Sequence, residues 1–222
     1  TGKSAYPEIY SQAMGVHFLP LAVEPRWDSP QDLFGFLNYM ENRFEATTLG
    51  RALRQFDNSP NSSSEFKDQL IIVLLDEMNL AKIEYYFSEF LSKLEMRRNV
   101  NLEQIDSLIK VSTEIFSGNK EDKEKGIEKS DPIFLYAGTN VLFVGTMNED
   151  ETTQSLSDKV IDRANVLSFG KPNRLKFISQ NTDNTYKWEP ISVDNWKKWL
   201  VEPNENSITD YDEIDNLLND IN

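Results

Sequence analysis

Seven residues in four short stretches have the types and the order to handle a nucleotide. The first stretch is Gly2-Lys3-Ser4. At the start of a helix, such a lysine reaches β- and γ-phosphates and such a serine binds Mg²⁺. The second is "IIVLLDEMN", where an apolar run delivers Asp76 and Glu77 together. Ligands of open α/β sheets collect at the C-terminal ends of strands. There Asp76 would hold Mg²⁺, directly or through water, and Glu77 would position and deprotonate an attacking water. The third is "VLFVGTMN", whose Asn148 can hydrogen-bond that water or a γ-phosphate. The fourth is "LSDKVIDRANVLSF", whose Arg163 can reach the γ-phosphate of a neighbouring subunit.

Each stretch has a plainer reading. Gly-Lys-Ser is a common tripeptide, and the loop it would close needs an earlier glycine than this chain shows. A strand can end in solvated acids, an asparagine can sit in a turn, and Arg163 can pair with Asp162 on the surface. The order of the four is what joins them: Lys-Ser opening a helix, strand to Asp-Glu, strand to Asn, helix to Asp-Arg. Together they point to a ring-forming phosphate-loop NTPase. With only half of the phosphate loop given, residues 1–222 alone are expected to bind nucleotide poorly.

The elements that would position these residues alternate. Lys3–Met14 reads as a helix stopped by Gly15, and Val16–Val23 as a strand whose Pro20 suits either a sheet edge or an irregularity in the strand. Ser29-Pro30 with Asp32 starts a second helix, and Thr47 or Thr48 caps a third through Leu49, Ala52, Leu53 and Phe56. Leu70–Leu75 is apolar on both faces, as in the middle of a covered parallel sheet. Lys82–Met96 carries Ile83, Tyr86, Phe87, Phe90, Leu91 and Leu94 at helical spacing. Leu102, Ile105, Ile109 and Phe116 suggest another helix, followed by a charged loop with nine charges in fourteen residues, 118–131. "IFLY" and "VLFVG" read as two strands around a short turn. A strand follows Arg163, and short helices are expected at Trp196–Leu200 and Tyr211–Ile221. The expected fold is α/β, a three-layer P-loop NTPase core with a mostly parallel sheet over 1–170, with 171–222 a smaller helical piece.

Composition narrows the function classes. No apolar run approaches the roughly 18 residues of a membrane span. The absence of cysteine removes disulfides and thiolate metal sites and suits a cytoplasmic protein. His17 is the sole histidine and reads as structural, since it has no second His or Cys with which to hold zinc. The net charge is −14, and seven of the excess negatives, Glu202 to Asp220, fall after Lys198. Such a surface repels phosphate backbones, so no direct nucleic-acid grip is expected.

"LLDEMNLAKIEYYFSEFLSKLE", "VLFVGTMNED" and "LSDKVIDRANVLSF" resemble the dynein-related branch of the AAA+ ATPases, and within it the McrB-type motor subunits of modification-dependent restriction systems. The likeness spans roughly residues 1–170 and includes "WDSPQDLFGFLN". It implies that Gly2, Lys3 and Ser4 end a Walker A loop, Asp76 and Glu77 form Walker B, Asn148 is sensor 1, and Arg163 is the arginine finger. It also implies Mg²⁺ and ATP as cofactors, a hexameric ring with nucleotide at each interface, and a partner protein such as a nuclease. McrB itself uses GTP, but this chain has Met-Asn-Glu-Asp-Glu at the sensor and no Arg-rich run at the finger, which favours ATP. The segment at about 97–131 reads as an insertion, and 171–222 as the start of a helical lid. A nucleotide-responsive oligomeric scaffold without useful turnover is the alternative from another class.

Overall fold

The computed structural model describes residues 2–38, 40–41, 43–97, 103–116, 133–148, 155–169 and 188–199. Its centre is a three-stranded parallel sheet in the order β1-β4-β7, formed by His17–Ala22, Ile71–Asp76 and Val141–Gly145. The fold is therefore α/β with a parallel sheet. β4 lies in the middle, with Ile72 opposite Phe18 on one side and Leu142 on the other. All five of its residues from Ile71 to Leu75 are buried, as a strand covered on both faces requires. β1 takes the edge, where Pro20 removes no ladder bond that a neighbour would need.

Alternation along β4 feeds two cores. Ile71, Val73 and Leu75 pack with Leu33, Phe34, Leu53 and Tyr86 on one face, and Leu70 and Ile72 pack with Val16 and Val193 on the other. The first face is covered by α2 (Pro30–Phe34), α3 (Thr48–Gln55), α4 (Ile83–Tyr86) and α5 (Ser88–Met96). The second is covered by α1 (Ala5–Met14) and α8 (Val193–Lys197). Each such fully buried aliphatic side chain contributes about 1.5–3 kcal/mol. α8 is tied to the sheet layer by Val193 N–H to Asp68 O and by Ile191 N–H to Gly15 O, both 2.8 Å.

Local chemistry sets the ends of these helices. α1 stops at Gly15, which is left-handed (φ 66°) and returns its N–H to Ser11 and Gln12. At α2, Ser29 and Asp32 form a reciprocal capping box behind Pro30. At α3, the Thr47 side chain accepts from Gly50 N at 3.1 Å. His17 is structural among the described residues: its ring meets Phe56, Phe66 and Trp188, and its Nε2 pairs with Gln69.

Several expectations need correction. The helix over 82–96 is divided into α4 and α5 at Phe87, which leaves helical geometry (φ −125°) while its ring packs on Phe90 and Phe143. After Phe34 the chain makes an unexpected hairpin, β2 (Gly35–Asn38) with β3 (Arg43–Ala46). The helix expected to run to Phe116 is only α6 (Ile105–Val111), and Thr113–Phe116 is a strand, β5. β5 pairs antiparallel with β6 (Ile133–Leu135), so "IFLY" and "VLFVG" are both strands but belong to different sheets. Beta-branched Thr113 and Ile115 favour extended backbone and outweigh the helical spacing, with an irregularity in the pairing between Glu114 and Phe116. Residues 165–169 are not a strand; Val166, Leu167 and Phe169 are exposed, and no described strand pairs with them. Before them, α7 (Asp158–Ile161) is a single turn. The charged loop at 118–131 and the expected helix at Tyr211–Ile221 lie outside the described residues, as does most of the 171–222 segment. No helix among the described residues is long and apolar enough to cross a membrane.

Candidate active site

β4 and β7 run parallel, so their C-terminal ends lie side by side and present Asp76-Glu77 and Thr146-Met147-Asn148 together. Gly145 is small because Met78 occupies the space its side chain would take: a Cβ there would fall onto the Met78 sulfur. α1 starts beside this end of the sheet. Gly2 is left-handed (φ 77°), a conformation open to glycine at no steric cost, and it leads through Lys3 into the helix. A Cβ at Gly2 would meet nothing within 4 Å, so it is the backbone shape, not crowding, that favours glycine.

Three of the four sequence stretches meet here. Ser4 Oγ donates to Asp76 Oδ1 at 2.6 Å. Lys3 Nζ donates to Asn148 Oδ1 at 2.7 Å and to the Met147 carbonyl. Asn148 Nδ2 donates to Glu77 Oε1 at 3.1 Å. Asp76 also accepts from Thr146 Oγ1 at 2.6 Å. The Ser4 hydroxyl first, then that of Thr146, holds the Asp76 carboxyl below its ordinary value against the upward push of partial burial. Asp76 is therefore a carboxylate at neutral pH. The buried Asn79 braces the arrangement from behind, donating to the Asn148 carbonyl at 2.9 Å.

Arg163 is not brought into this cluster. Its guanidinium lies against α5, with Nε 3.2 Å from Glu95 and one terminal nitrogen donating to Ser92 at 2.9 Å. Its carboxylate partner is Glu95, not the adjacent Asp162.

Two features of the site were not read from the sequence. Glu77 is the one non-glycine with positive φ among the described residues (φ 53°, ψ 47°). Such strain gathers at functional sites. Thr146 bridges the two strand ends, as described below. The Thr in "GTMN" was visible, but nothing in its spacing says that it faces Asp76.

Ser4 and Asp76 offer two hard oxygens 2.6 Å apart. Mg²⁺ is commonly held by one or two carboxylates with phosphate oxygens and waters, so this pair suits it beside a nucleotide. Among the described residues no group of three or more His, Cys, Asp or Glu forms a metal cage. Against family models the sequence matches none, and no curated protein is significantly similar to it.

Proposed function

We propose that this chain is the nucleotide-binding core of an AAA+ motor subunit of the McrB-like kind, hydrolysing ATP with Mg²⁺. The observation that carries the reading is convergence: Lys3 and Ser4 contact Asp76 and Asn148, residues 72 and 145 positions away, at 2.6 and 2.7 Å. A lysine, a hydroxyl, a low-lying carboxylate, a second carboxylate and an amide at the ends of adjacent parallel strands form the set that phosphoryl transfer needs. In this reading Lys3 binds β- and γ-phosphate oxygens, and Ser4 with Asp76 holds Mg²⁺. Glu77 takes a proton from the attacking water, and Asn148 orients that water. With nucleotide present, Lys3 would exchange its Asn148 and Met147 partners for phosphate.

Arg163 is the side chain proposed to reach a neighbouring protomer's γ-phosphate in a ring. Its present ion pair is with an exposed carboxylate, and such pairs are worth only about 0–1 kcal/mol, so releasing it is easy. The motion would act on a partner protein, a nuclease being the kind that the resemblance implies.

The test is Glu77→Gln in the complete protein, assayed with Mg-ATP and Mg-GTP in parallel. Expected is loss of turnover with nucleotide binding kept, and faster wild-type hydrolysis of ATP than of GTP. Persisting turnover in the variant would refute the role of Glu77.

A further inference from the structure

Thr146 is buried, at 8% exposure, at the mouth of the cluster. It ties the end of β4 at four points. Its N–H donates to Leu75 O at 3.0 Å, and its carbonyl accepts from Met78 N at 2.9 Å. Its hydroxyl donates to Asp76 Oδ1 at 2.6 Å and accepts from Glu77 N at 3.0 Å. A hydroxyl has one proton and two lone pairs, so one rotamer serves a carboxylate and an amide at once. Neither bond is available to a methyl group.

These bonds fall around the strained turn. At φ 53° the Glu77 backbone is in a region that costs a side-chain-bearing residue about 1–3 kcal/mol, and it persists only where its surroundings hold it. The Glu77 and Met78 N–H groups, on either side of that residue's own dihedrals, both end on Thr146. The same turn lets the Glu77 carboxylate meet Asn148 while Asp76 meets Ser4.

We propose that Thr146 is the positioning residue of the site, its hydroxyl fixing the Asp76 carboxylate and the left-handed Glu77 backbone in the one arrangement that serves metal binding and water activation. The proposal rests on the hydrolytic reading given above. It names a side chain that acts through the Asp76 carboxylate and the Glu77 backbone.

Two variants of the complete protein separate hydroxyl from shape. Thr146→Ser keeps the hydroxyl, and Thr146→Val keeps the shape. Thr146→Val should lower kcat with Mg-ATP by about tenfold or more, the loss of hydrogen bonding to a charged group. Its affinity for a fluorescent ATP analogue should change much less than its kcat, and Thr146→Ser, which keeps both hydroxyl bonds, should turn over near the wild-type rate. The second readout is independent of turnover: the Glu77 amide proton resonance should move upfield in Thr146→Val and stay in place in Thr146→Ser. An unmoved amide in Thr146→Val overturns the proposal, as does equal loss of kcat in both variants. If wild-type protein hydrolyses no nucleotide, the hydrolytic reading fails, and the amide resonance still decides whether the Thr146 hydroxyl holds Glu77.

Discussion

Replacing Asn140 by alanine should destabilise the protein by about 3 kcal/mol. Asn140 is fully buried, and its carboxamide nitrogen donates to Phe56 O at 2.8 Å and to Gln69 O at 3.1 Å. It thus joins the residue capping α3 to the lead-in of β4, and its backbone carbonyl accepts from Ile71 N at 3.0 Å. Truncation strands two carbonyls, each at about 1–3 kcal/mol but not additively. The void left by the lost carboxamide adds about 1 kcal/mol. Asn140→Asp is the sharper perturbation, because its carboxylate would face those same carbonyls without water. At neutral pH it should cost more than alanine, about 4 kcal/mol or more. Burial would raise the folded-state pKa of that carboxyl above its unfolded value. The penalty is therefore complete above the raised value and fades as pH falls toward the ordinary aspartate range, where the protonated acid can donate to Phe56 O. Urea unfolding followed by tryptophan emission, at neutral and mildly acidic pH, reads both effects. A loss below about 1 kcal/mol for Asn140→Ala would refute the reasoning, since that is an ordinary surface-like change. So would an aspartate variant as stable as the alanine variant at neutral pH.

Ser4→Ala should raise the Asp76 carboxyl toward the ordinary aspartate value, because Ser4 is the largest cause of its depression; carbon-13 NMR titration of that carboxyl checks it. A depressed folded-state value contributes stability above the unfolded pKa that is lost as pH falls through the folded one, so the variant should show a smaller acid-side loss. Gly35→Ala should cost about 3 kcal/mol in the same urea assay, because φ is 124° and a Cβ would run into the Glu45 carbonyl and lie 2.8 Å from Ala46 Cα across the hairpin.

What the sequence made legible was what short-range chemistry determines. The unbroken apolar run of β4, the caps at Ser29 and Thr47, the stop at Gly15 and the Pro20 edge each follow from a few neighbouring residues. The candidate site was legible through Lys3, Ser4, Asp76, Glu77 and Asn148, because strand ends in a parallel sheet share one rim. The misses involve distant partners. A strand exists only where another strand accepts its hydrogen bonds, so "NVLSF" looked like one, while the four-residue strands β2 and β3 were too short to announce themselves. The left-handed turn at Glu77 carries no local mark, since glutamate is not a residue that favours it. Arg97, just past the end of α5, shows no distant partner by its place in the sequence. Its guanidinium instead donates to the carbonyls of Ala137, Gly138 and Val141, at 2.5–3.1 Å.

That grip makes α5 a brace between two segments. At its C-terminal end Arg97 grasps the carbonyls that lead into β7, the strand whose far end supplies Thr146 and Asn148. Five residues earlier, about 7.5 Å along the axis, Ser92 holds Arg163, with Glu95 between. The same short helix thus anchors two segments far apart in the chain, the turn that carries Arg163 and the lead-in of the strand that ends beside Thr146 and Asn148.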